Sequence, residues 1–107
     1  MDVWNNNENL DDLDKDFLSI RSLFLSGSIP NMYKLVKHSP TKVAKLLGLN
    51  YSSYHSKLVD PEKFTLFHIN VLAFAVRIDP NVIHDIIQKQ IQEKVIKRIS
   101  HVQANNN

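Results

Sequence analysis

The chain has 107 residues, no cysteine, 43% apolar and 22% charged residues, which suffices for one modest core and excludes disulfides and thiolate metal sites. Its longest apolar run, residues 71–76, is far shorter than the about 20 residues a bilayer demands, and Met1-Asp2-Val3-Trp4-Asn5 lacks the basic flank and apolar stretch of a secretory signal. The net charge of +2 is divided unevenly: residues 1–16 hold six acids and one base, a balance of −5, whereas residues 17–107 hold 12 bases and five acids, a balance of +7.

A cytoplasmic protein with no membrane partner is therefore expected, with a basic body suited to polyanions. Residues 1–12, which include Asn5-Asn6-Asn7, read as a disordered acidic leader. It is either a solvated tail or a competitor for the basic surface. Residues 103–107 read as a disordered tail, and 13–102 as one helical domain.

No useful segment alternates with period two, whereas spacings of three and four recur throughout, so the chain is expected to be all-α. The first helix is predicted over 13–25, with Phe17, Ile20, Leu23 and Phe24 inward and Gly27 at its end. A short helix follows Ile29-Pro30, capped by Asn31, and buries Met32, Leu35 and Val36. The third starts at Ser39 as side-chain N-cap with Pro40 in the first helical position, and ends at Gly48. Asn50 caps the next helix, residues 51–58, which Asp60-Pro61 closes.

Thr65 caps a helix with Leu66, Ile69, Leu72, Ala73 and Val76 on one side and Phe67, Val71, Phe74 and Ile78 on the neighbouring one. So wide an apolar surface implies the centre of the core, or a core face adjoining a subunit contact. Asp79-Pro80 starts the last helix, which carries Val82, Ile83, Ile86 and Ile87, then Ile91, Val95, Ile99 and Val102. At about 20 residues it reaches about 30 Å, beyond the body of so small a domain. Ile91, Val95 and Ile99 then either form a dimer contact or cap the chain's own core.

The segment 39–58 carries the functional signal. Two helices that cross closely need a small side chain at the contact, which Ala44 supplies, and a reversal with positive φ, which Gly48 supplies. Val43, Leu47 and Leu49 face inward. Tyr54 and Leu58, spaced i, i+4, enter the core together, with Tyr51 half buried a turn earlier. This is the construction of a helix-turn-helix, which presents its second helix to the major groove of DNA. An ordinary helical hairpin around a glycine is the competing interpretation.

The span from about residue 29 to 87 resembles the Cro/repressor-type (XRE) helix-turn-helix family. It is similar to a group of small uncharacterised bacterial members in which Ala-Lys-x-Leu-Gly-x-Asn-Tyr precedes an aromatic residue, a Lys-Leu pair and Pro-Glu-Lys-Phe-Thr-Leu. Here these are Ala44-Lys45-Leu46-Leu47-Gly48-Leu49-Asn50-Tyr51, then Tyr54, Lys57-Leu58 and Pro61-Glu62-Lys63-Phe64-Thr65-Leu66. The resemblance implies a lambda-repressor-like bundle of about five to six helices, here with an extended C-terminal helix. The chain departs from the family where Pro40 replaces a glutamine that often braces a phosphate contact.

On this reading, double-stranded DNA is the partner, and residues 51–58 enter the major groove, with a homodimer expected. Asn50, Tyr51, Ser52, Ser53, His55 and Ser56 are the candidate base readers, a face short of the Arg, Lys and Gln that discriminate strongly. Thr41, Lys42, Lys45, Lys57 and Lys63 are the candidate phosphate contacts, each alternatively a solvated side chain. The rival reading is a protein-interaction module of the same fold, antitoxin-like, held to a protein partner by the leader or last helix.

Catalysis is not expected. His38, His55, His68, His84 and His101 never pair at i, i+3 or i, i+4, which argues against a metal-binding helix face. His68 reads as a satisfied, semi-buried residue. With only Gly27 and Gly48 there is no glycine-rich phosphate loop, and no cofactor is expected.

Overall fold

The structure, a computed structural model, describes residues 10–105. Among the described residues the chain is all-helical and contains no strand. Five α-helices follow in order: α1 (Lys15–Leu25), α2 (Pro40–Leu46), α3 (Tyr51–Val59), α4 (Leu66–Val76) and α5 (Pro80–Asn105). Short 3-10 segments lie at Leu10–Asp12, Met32–Lys37 and Pro61–Lys63. Most of the leader read from the sequence lies outside the described residues. No helix among those described is long and apolar enough to cross a membrane.

One core joins all the α-helices. Ile20 and Phe24 of α1 meet Met32 and Leu35, then Val43, Ala44 and Leu47 around α2. Tyr54 and Leu58 of α3, Ile69, Leu72, Ala73 and Val76 of α4, and Ile83 and Ile87 of α5 complete it. These are the i, i+3 and i+4 positions that an amphipathic helix turns to one side.

Local chemistry sets the boundaries. Helix α1 starts two residues later than expected, because the Asp14 carboxylate accepts from the backbone N–H groups of Asp16 at 2.8 Å and Phe17 at 3.4 Å. It ends where Ser28 N–H reaches Leu23 C=O at 2.9 Å across Gly27 at φ 76°. The segment Met32–Lys37 is a 3-10 rather than an α-helix. Met32 and Leu35, three apart, fall on one side of it and are buried, while Val36 is only half-buried.

Three expectations are corrected. Asn31 stands at the start of the 3-10 segment but makes no side-chain cap hydrogen bond. Ser39 does not cap α2 through its side chain; it adopts the left-handed conformation at φ 50°, ψ 51°. The chain turns from the 3-10 segment into α2 within two residues, and the following Pro40 disfavours the right-handed helical region at Ser39. Leu66, expected inward, is 69% exposed. It opens α4, and Phe64, two residues earlier, is buried. Phe67 and Phe74 also face outward. Ile78 is buried, but from the turn beyond α4, where its N–H reaches Ala73 C=O at 2.9 Å.

Helix α5 spans 26 residues, about 39 Å, and continues past the boundary read at residue 102 to Asn105. Its first half lies on the bundle. Gln90 accepts the Met32 N–H at 2.9 Å, and the Lys94 ammonium meets Asp60 at 2.9 Å and Glu62 at 3.0 Å. Beyond Ile91 every residue through Ala104 is exposed. Of the three residues expected to pair two subunits, Ile91 packs partly on its own core, while Val95 and Ile99 stand in solvent.

Candidate nucleic-acid interface

Helices α2 and α3 are joined by a turn of four residues, whose geometry follows from Gly48. At φ 72° the glycine lets the chain leave α2 in a Schellman cap: Leu49 N–H bonds Ala44 C=O at 2.9 Å and Gly48 N–H bonds Lys45 C=O at 3.1 Å. Leu49 is left half-buried. The first residues of α3 are then held by Asn50, whose Oδ1 accepts the Ser53 N–H at 2.7 Å. Ala44 is buried at the α2 side of the crossing and Tyr54 and Leu58 at the α3 side, so a core seals the inner faces of both helices.

The Tyr54 ring packs edge-on to Phe64 at 6.5 Å, and its hydroxyl has no hydrogen-bond partner among the described residues. Burial pushes the phenol well above its ordinary value, so it stays neutral. Its contribution is packing.

The outer face of α3 exposes Tyr51, at 49%, and Ser52, with Ser53, His55, Ser56 and Lys57 half-exposed. Not all of the expected readers are equally available. The Asn50 carbonyl oxygen is occupied by the cap, so the side chain cannot grip adenine with both its amide groups while α3 keeps that cap. The Ser56 hydroxyl accepts from Lys63 Nζ at 3.4 Å. His55 contacts two rings, near-parallel to Tyr51 at 6.2 Å and edge-on to Tyr33 at 5.7 Å. Tyr33 comes from the 3-10 segment and was missed in the sequence. The signal was present, since the 3-10 period that buries Met32 and Leu35 turns the intervening tyrosine outward.

The cations also separate. Lys42 is held by Asp14 at 2.6 Å and Asp16 at 2.9 Å and lies over the Phe17 ring. Its ammonium holds the Asp14 carboxyl below the usual carboxylate range, and the two carboxylates hold Lys42 protonated above its own. Two of the six acids in residues 1–16 thus belong to the start of α1, where they answer the charge of Lys42. Lys63 pairs with Asp60 at 3.5 Å. Lys57 donates to the Lys63 carbonyl at 3.3 Å, a neutral acceptor. Lys45 and Thr41 are exposed on α2.

His68 lies behind this face, at the start of α4. Its N–H donates to the Thr65 hydroxyl at 3.1 Å while its Nδ1 accepts the Thr65 N–H at 3.2 Å, a capping box with histidine in the usual place of glutamate or glutamine. Burial and the charge of Lys57 hold its imidazole below the ordinary value. Among the described residues no cluster of three or more His, Asp or Glu is placed to hold a metal ion. A concavity of about 210 Å³ is lined by Glu62, Ile91, Lys94, Val95 and Arg98, none of them an expected reading residue.

Comparison with protein-family models, with curated proteins and with solved structures finds no match to this chain.

Proposed function

We propose that the chain is a DNA-binding transcriptional regulator of the helix-turn-helix type, which acts by occupying a site in duplex DNA. The observation that supports this most is the α2–turn–α3 unit. Its inner faces are sealed by Ala44, Tyr54 and Leu58, while the outer face of α3 stays open between Lys45 and Lys57. Small polar side chains at Ser52 and Ser53 let that helix approach base edges closely, and Lys45 and Lys57 supply cations for phosphate contacts. The N-terminal half of such a helix meets the bases. A two-fold dimer would add a second half-site about 34 Å away and multiply a weak monomer preference.

Fluorescence anisotropy with a random duplex pool, titrated over several salt concentrations, tests the proposal. The expected log–log slope is about −0.9 per phosphate contacted, and Lys45→Ala or Lys57→Ala lowers that slope by about one contact each. Folded protein that binds no duplex even at about 50 mM salt overturns it.

The rival, a protein-interaction module of the same fold, is favoured by two observations. Lys42 is already neutralised by Asp14 and Asp16, and Val95, Ile99 and Val102 are exposed on the distal half of α5. Replacing Ser53 and His55 together with glutamate separates the readings, because it removes DNA binding and leaves a protein contact on α5 untouched.

A further inference from the structure

The outer face of α3 has an edge that is aromatic rather than polar. Tyr51 and His55 lie one turn apart on the helix, with rings 6.2 Å apart and inclined by only 28°. Tyr33 meets the His55 ring at 5.7 Å with its plane at 80°. Both geometries fall within the favoured range for aromatic pairs. Tyr33 is 45% and Tyr51 49% exposed, so the contacting rings form a ledge that is partly open to solvent. His55 is restricted by both neighbours. The ledge lies on the half of α3 that enters first if the helix docks in a major groove.

From these contacts we infer that Tyr51 and His55, with Tyr33 as their positioning residue, select thymine-containing steps by packing against the thymine 5-methyl group. The inference rests on the DNA-binding reading above. Three observations lead to it. The polar groups best suited to reading bases are largely committed, Asn50 Oδ1 to its cap and Ser56 to Lys63. What remains on that side is ring edge, whose complement in a major groove is the one apolar group that base pairs display there, the thymine methyl. The surroundings are cationic, with Lys34 and Lys37 exposed on the segment that carries Tyr33, and Lys57 following on α3. Cations around an apolar ledge fit a duplex, with phosphates outside and methyl groups within the groove. They fit an apolar protein surface less well.

Tyr33 would act on the bases through His55. Without it the imidazole is free to rotate away, and the ledge loses its brace while every lysine stays in place. Tyr33→Ala should therefore change base preference and leave the salt dependence alone. Tyr33→Phe keeps the ring edge and should behave like the parent chain.

The experiment selects duplexes from a randomised pool with the full chain, then replaces each enriched thymine by deoxyuridine, which removes only the methyl group. In the parent chain at least one replacement should weaken binding about fourfold, the equivalent of one buried methyl group. Tyr33→Ala and His55→Ala should lose that dependence with an unchanged salt slope, and Tyr33→Phe should retain it. A parent chain that binds duplex but ignores uracil substitution overturns the ledge. So does methyl dependence that survives Tyr33→Ala, or a preference for single strands, which would make the rings a base-stacking platform. Absence of duplex binding by the folded parent chain overturns the regulator reading itself, and this inference with it.

Discussion

Along α5 the residues Ile83, Ile87, Ile91, Val95 and Ile99 recur at every fourth position, yet Ile83 and Ile87 are buried while Val95 and Ile99 are 46% and 51% exposed. Their chemistry does not differ. Reach separates them: the bundle supports α5 only as far as Ile91, and every residue from Gln92 to Ala104 is exposed whichever way it faces. On α3 the same spacing is used only once, Tyr54 and Leu58 stay about 40° apart, and both are buried. A helix that stays on the body keeps such a pair buried, whereas a helix that outruns the body exposes residues of the same kind.

Truncation at the two ends of α5 tests this contrast and should give the largest effect. Ile83→Ala removes a fully buried side chain and should cost about 2–5 kcal/mol. Ile99→Ala removes an exposed one and should stay within about 0.5 kcal/mol in dilute protein. Denaturant unfolding of both variants reads the difference directly. A loss at Ile99 that rivals the one at Ile83 and grows with protein concentration would break the contrast, and would mean that a second copy covers the distal arm.

The turn between α2 and α3 depends on backbone rather than burial. At Gly48, φ is 72° and an added Cβ would meet nothing within 4 Å. Gly48→Ala should therefore cost about 1–2 kcal/mol, the left-handed penalty alone. Gly48→Asn should cost less, since asparagine enters that region more readily. Equal losses for the two, measured in the same unfolding series, would point to a steric origin that the open space around Gly48 does not provide.

Much of the helical bundle could be read from residue types because its determinants are local. Pro40 and Pro80 at helix starts, Asn50 and Thr65 as caps and Gly27 and Gly48 as reversals each act within a few residues of themselves. Other features depend on distant parts of the chain. Whether Lys42 is free depends on Asp14 and Asp16, which lie 28 and 26 positions away in the chain. The Tyr33–His55 contact likewise joins two elements with α2 between them. The candidate interface was legible as a helix and its small side chains. The partners that withdraw some of those side chains and brace others were not.

The smallest effect should come from the cap of α4, where a local rule carries a titration. The Thr65–His68 pair needs a neutral imidazole, because Nδ1 must accept the Thr65 N–H. Burial first, and the nearby Lys57 charge second, hold the folded-state pKa of His68 below its ordinary value of 6.5. In the unfolded chain that value returns, so just below it the unfolded state binds the proton more readily than the folded one. The contribution of His68 is thus fully present above pH 6.5 and is lost as pH falls through the depressed folded-state value. Gln in place of His68 restores the usual partner in a capping box and does not titrate. Thermal unfolding of the parent chain and His68→Gln from neutral to mildly acidic pH should therefore give curves that diverge below pH 6.5, with the parent chain losing more. Parallel curves would mean that the folded chain accepts the imidazolium at no cost, and that Nδ1 does not hold α4 at its start.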